Sequence, residues 1–141
     1  MTYDIEEIID LYQFFDRYKN NSRSQLKAHI EPSIELNQYK THEQENKLVA
    51  FTNWAYMSDA HQEYYMRTGL MLPSFWNSGA NVWHIDTICN GKLLDVHRWT
   101  KQHFEDVLKE GDTVSWLRVS DKCRVYGKQT WQFLGDKWEA R

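Results

Sequence analysis

The chain has 141 residues with a net charge of −3. That length suits one domain, residues 1–141, with a core that needs no disulfides, and that charge offers no whole-molecule attraction to nucleic acid. Two cysteines, Cys89 and Cys123, make neither a disulfide framework nor a zinc site.

Aromatic residues reach 15%, with seven Trp, eight Tyr and six Phe. So many flat, rigid side chains suit a sheet core, a ligand groove, or both. The opening MTYDIEEIID is acidic where a signal peptide is basic and then apolar. No apolar run approaches the ~20 residues of a membrane span, so a cytoplasmic protein is expected.

Along the chain, Ile5, Ile8, Ile9, Tyr12 and Phe15 recur at helical spacing, predicting an amphipathic helix from Asp4 to Tyr18. KNNSRS breaks it. A short helix from Ser24 to His29 should stop near Pro32. Leu36–Thr41 and Leu48–Tyr56 read as strands around the polar turn HEQEN. Ser58 can cap the next helix, and 67–81 reads as a loop. NVWHIDTI, Asn81–Ile88, is the clearest strand, followed by a long helix to about Lys109. Strands at 114–120 and 124–133 complete the pattern. The order predicts a single α+β domain with a central, mostly antiparallel sheet flanked by helices.

Chemistry concentrates in NVWHIDTI. Strict alternation puts Val82, His84, Asp86 and Ile88 on one face, with the His84 and Asp86 side chains about 7 Å apart. A carboxylate in an interior strand calls for a partner, which makes Asp86 a site candidate. His97 sits on the apolar stripe of the long helix, His61 and His103 read as surface helix positions, and His42 falls in a turn. Cys89 lacks a local Cys/His signature. No GxSxG, P-loop, GxGxxG, HExxH or CxxC occurs, nor the QxxGxG/A spacing that cradles CoA pyrophosphate, so no metal or cofactor is expected.

Two blocks carry a resemblance. Asn37, Gln38, Tyr39, Phe51, Trp54, Ala55 and Ser58 follow one another in the order seen in the lysine acyltransferases that activate RTX cytolysins. Trp76, Ser78, Gly79, Trp83, Ile85, Asp86 and Gly91 match that family's second block, Trp-x-Ser-Gly then Trp-x-Ile-Asp. The resemblance spans roughly residues 32–104. It implies a GNAT-like fold, a homodimer, acyl carrier protein as fatty acyl donor, and an internal lysine of a protein as acceptor. It also implies catalysis by the strand Asp, here Asp86, and an N-terminal His expected around residues 16–24.

That segment reads DRYKNNSRS, with Tyr18 nearest the slot. His29 and His84 are then the candidate bases, and Trp54, Trp76 and Trp83 the candidate lining of an acyl-chain groove. The alternative is a non-catalytic GNAT-like binding or accessory protein, of phage or mobile-element type, that has lost the N-terminal His.

Overall fold

The computed structural model describes residues 4–120 and 124–141, so Cys123 lies outside the described residues. Helix α1 (Ile5–Gln13) starts at Asp4, whose side chain accepts the Glu7 N–H. It buries Ile8, Ile9, Leu11 and Tyr12. It ends five residues before the predicted boundary, and successive turns carry the chain to Asn20.

Helix α2 (Arg23–Glu35) opens on a reciprocal cap between Ser22 and Gln25 and runs through Pro32 instead of stopping before it. Proline removes one N–H donor, and here the carbonyl that loses its partner belongs to exposed Ala28 in the last turns. Burial of Leu26, Ile30 and Ser33 on one face outweighs that loss.

Strands β1 (Tyr39–Gln44) and β2 (Lys47–Met57) form a hairpin whose turn residues, Glu45 and Asn46, both have left-handed backbones, φ 54° and 63°. That is the turn whose twist matches the strands it joins. Helix α3 (Asp59–Thr68) is capped by Ser58, as expected, and ends at Gly69, φ 71°. A single 3-10 turn at Pro73–Phe75 precedes β3 (Asn81–Cys89). Helix α4 (Leu93–Val107) then leads to β4 (Thr113–Val119), β5 (Val125–Phe133) and β6 (Trp138–Ala140).

The six strands form one sheet in chain order. Every neighbouring pair is antiparallel except β3–β4, which is parallel and joined through α4. The predicted α+β class with a mostly antiparallel sheet is what the structure shows. Helices α1 and α2 pack Ile8, Ile9, Leu26 and Ile30 on Phe51 and Ile88. On the same sheet face, Tyr65, Phe75 and Trp76 cover Ala55, Met57 and Trp83. The opposite face packs Trp54, Val114 and Phe133 against Phe104 of α4.

One irregularity decides where the chemistry goes. Pairing of β2 with β3 steps from Asn53↔Asp86 to Trp54↔His84, leaving Ile85 without a partner on β2. This bulge reverses the alternation. Asp86 and Ile88 therefore share the α1–α2 face with Phe51 and Asn53, while Val82 and His84 share the α4 face with Trp54 and Tyr56. The expectation that His84 and Asp86 lie on one face is corrected: an unpaired residue between them puts them on opposite faces.

Candidate active site

Asp86 is 3% exposed, yet it is ionised, because it is surrounded by donors. Tyr12 donates its hydroxyl to Oδ2 at 2.8 Å, and the Tyr18 hydroxyl donates to Oδ1. His29 Nε2 stands 2.7 Å from Oδ2. The Arg17 guanidinium lies 4.0 Å from Oδ1. Burial alone would push the Asp86 carboxyl up. The charge and hydrogen bond of His29, the Arg17 guanidinium and the Tyr18 hydroxyl outweigh it and hold the group well below the usual carboxylate range. An ionised carboxylate only accepts hydrogen bonds, so His29 must present Nε2–H to it, and in the neutral imidazole the lone pair is then on Nδ1.

The fold delivers these groups from separate elements. His29 follows Leu26 by three positions on α2, at the flank of the face that packs on the sheet, with its side chain 16% exposed. Continuation of α2 past His29 to Glu35 is what holds it there. Tyr12 and Tyr18 are six residues apart and would point roughly 120° apart on an unbroken helix. The end of α1 at Gln13 lets both reach one carboxylate. Asn53 ties the pieces together: its Oδ1 accepts the Asp86 N–H at 3.0 Å, and its Nδ2 donates to Ser33 Oγ on α2 at 3.3 Å.

The motif residues of the sequence form the frame around this cluster. Asn37, φ 56°, turns the chain out of α2, and buried Gln38 donates to the carbonyls of Trp54 and Trp76, both at 2.9 Å. Ser78 Oγ accepts the Ser58 N–H at 3.0 Å and donates to the Phe75 carbonyl. Gly79 is required by space: a Cβ there would meet the Ser58 backbone at 2.5 Å.

Beside Asp86 the sheet opens. The parallel pairing of β3 and β4 covers only Val82↔Val114 and Trp83↔Ser115, and beyond it the strands part. A cleft of about 930 Å³ occupies the gap. Arg17 and Asp86 line it from the α1–α2 side, and His84 and Thr100 from the α4 side. Phe104, Val114, Trp116, Trp131 and Trp138 supply apolar and aromatic wall. Lys101 and Lys137 add positive charge and Asp136 negative charge, and His97 stands at the rim.

Of the two candidate bases, His29 touches Asp86. His84 instead bonds through Nε2 with the hydroxyls of Thr52, at 2.7 Å, and Thr87, at 2.9 Å. Trp54, Trp76 and Trp83 are buried in the packing of the two faces and do not line the cleft. Trp76 still reaches the site as core, its ring 5.9 Å from that of His29. Cys89 is absent from the cleft wall, whereas His97, read as a core position, is exposed at it. His103 is half-buried, its ring stacked on Trp99 with centroids 5.0 Å apart, rather than on the surface. His42 lies in β1 against Trp99, not in the turn.

Sequence reasoning missed Tyr12, Arg17 and Tyr18 as neighbours of Asp86. The available signal was a hydroxyl on the apolar stripe of α1, where phenylalanine would pack as well.

Burial pushes the His84 imidazole down to about 4 from its ordinary 6.5. Between those values the unfolded chain binds the proton and the folded one does not. Stability from this group is therefore full above pH 6.5 and is lost as pH falls from 6.5 toward 4. His42 and His103 are lowered in the same direction, also by burial first, and share the effect. Chemical denaturation across that range should show a shallower acid loss for His84→Gln than for the parent. Equal slopes would count against a buried neutral imidazole at position 84.

A mostly antiparallel six-stranded sheet that splays at its one parallel pair, with helices on both faces, is an α+β framework consistent with a GNAT-like domain. Residues 5–128 match the HlyC family, described as the RTX toxin acyltransferase family, and the chain belongs to it. No curated protein matches the chain. Among the described residues no helix is long and apolar enough to cross a membrane, and no cluster of ligands could hold a metal ion.

Proposed function

We propose that this protein is a lysine acyltransferase that takes a fatty acyl group from acyl carrier protein and transfers it to an internal lysine of an RTX-type protoxin. The observation that carries the reading is the 2.7 Å contact between His29 Nε2 and Asp86, beside an aromatic-walled cleft. No His occurs in 16–24, yet an imidazole stands at the carboxylate. That favours a working site over the non-catalytic binding protein.

Free lysine has a pKa near 10.4, so its ammonium must first give one proton to solvent, and the neutral amine then loses a second as it adds to the carbonyl. In the proposed reaction the lysine nitrogen adds to the thioester carbonyl carbon and its proton passes to His29 Nδ1. The C–S bond then breaks, the amide C–N bond remains, and His29 returns the proton to the carrier's thiolate. Asp86 keeps the imidazole in the required tautomer and stabilises its cationic form.

Beyond Trp83, the β3 edge facing β4 has backbone groups without strand partners, available to the polar arm of the donor or to the developing oxyanion. The apolar cleft wall suits the acyl chain, and Lys101 and Lys137 suit the phosphate of the carrier's thioester arm. A cytoplasmic location and a homodimer belong to the same reading, with residues 1–141 forming one domain.

Incubation with palmitoyl-acyl carrier protein and an RTX protoxin should release the carrier thiol and add palmitoyl mass to a lysine-containing peptide. Binding of the carrier without thiol release would favour the accessory-protein reading instead.

A further inference from the structure

Asp86 is held by more donors than a simple base–orienter pair needs. A carboxylate offers about four acceptor positions. Here Oδ2 takes Tyr12 and His29, while Oδ1 takes Tyr18 and faces Arg17. Both phenols are buried among apolar neighbours, Tyr12 at 0% and Tyr18 at 8% exposure. Phenylalanine would fill those volumes without the cost of burying a hydroxyl. Burial first, then the charge of Asp86, holds both phenols well above their ordinary 10, so they stay donors. They bond the carboxylate without taking the proton that His29 must exchange.

We propose that Tyr12 and Tyr18 are positioning residues: one hydroxyl on each oxygen fixes the plane of the Asp86 carboxylate, so that its remaining Oδ2 lone pair holds His29 in the Nε2–H tautomer. The two phenols come from α1 and the turn after it, and His29 comes from α2. The carboxylate is thus gripped from one element while it orients a group on another. Released from the phenols, it could rotate about its side-chain bond and hold the imidazole less strictly. This inference rests on the acyltransferase reading for its kinetic consequence, and on geometry alone for the tautomer.

The test uses Tyr18→Phe and Tyr12→Phe in the full chain. Nitrogen-15 NMR of labelled histidine reads the His29 tautomer, and release of carrier thiol from palmitoyl-acyl carrier protein reads turnover. The parent is expected to show His29 as the Nε2–H form. Each variant should show a mixture of tautomers, with kcat down roughly ten- to hundredfold and KM within about twofold, as expected for loss of one charged hydrogen bond. A parent in the Nδ1–H form overturns the proposal without any variant. So do folded variants that keep both the parent tautomer and the parent kcat. A parent with no thiol release defeats the acyltransferase reading instead, and the tautomer spectra still decide the role of the two phenols.

Discussion

Asp86→Asn is expected to lower the rate of acyl transfer by roughly 100- to 10,000-fold, the range spanned by a lost general-base arrangement. The amide is nearly the same size as the carboxylate, so packing against Tyr12 and Tyr18 survives. Its hydrogen-bonding character does not. An amide N–H turned toward His29 donates to Nε2 and forces the imidazole proton onto Nδ1, the atom that receives the lysine proton in the proposed reaction. An amide oxygen turned the same way keeps the tautomer but lacks the charge that stabilises the imidazolium. His29→Asn should fall into the same range by removing the base itself.

Because the two residues act as one unit, the double variant should be little worse than either single one. Thiol release from acyl carrier protein and mass addition to the acceptor measure both. Additive losses would mean that His29 and Asp86 act separately despite the 2.7 Å between them. His84→Gln tests the other candidate base. His84 lines the cleft from the α4 side but bonds with Thr52 and Thr87 rather than Asp86, so its loss should show in KM, with a far smaller fall in kcat than His29→Asn.

The second large effect is on stability. Trp76 is 0% exposed and sits between the α3 core and His29. Trp76→Ala should cost about 3–5 kcal/mol, the usual penalty for emptying a buried aromatic site. Trp76→Phe should cost clearly less. It leaves a smaller cavity and removes an indole N–H that is buried with no hydrogen-bond partner. The carbonyl of residue 76, which accepts from the Tyr56 N–H and Gln38, is unchanged in either variant. Urea denaturation reads the order of the two losses. Kinetics of Trp76→Phe with donors of different chain length reads the other possibility, a groove residue. A core tryptophan predicts the parent's chain-length preference, and a groove tryptophan predicts an altered one.

These expectations show where sequence and tertiary structure divide the work. Local rules carried the element order well: Ser58 capping α3, an apolar stripe on α1, and a β2 that is apolar on both faces all behave as their side chains require. They failed at Pro32, because a rule about one lost hydrogen bond competes with burial of a whole helix face. They failed again at Ile85. Alternation assumes that every residue pairs, and an unpaired one is invisible until its partner strand is in place.

Length, composition and charge by themselves defined a protein of one-domain size, without a disulfide framework and with a heavy load of aromatic side chains. The sequence also singled out Asp86, because a carboxylate in an apolar strand is costly without partners. It did not identify those partners beyond proposing His29 and His84. Only the tertiary structure decided between them. The bulge turned His84 to the far face, α2 ran on to carry His29 to the carboxylate, and the break after α1 brought in both tyrosines.

It also divided the aromatic residues, leaving Trp54, Trp76 and Trp83 in the packing and giving Trp116, Trp131 and Trp138 to the cleft. The physical reason is common to all of these. Hydrogen bonds and packing between residues 57 to 74 positions apart along the chain depend on strand register and helix ends, and a shift of one residue in either redirects every side chain beyond it.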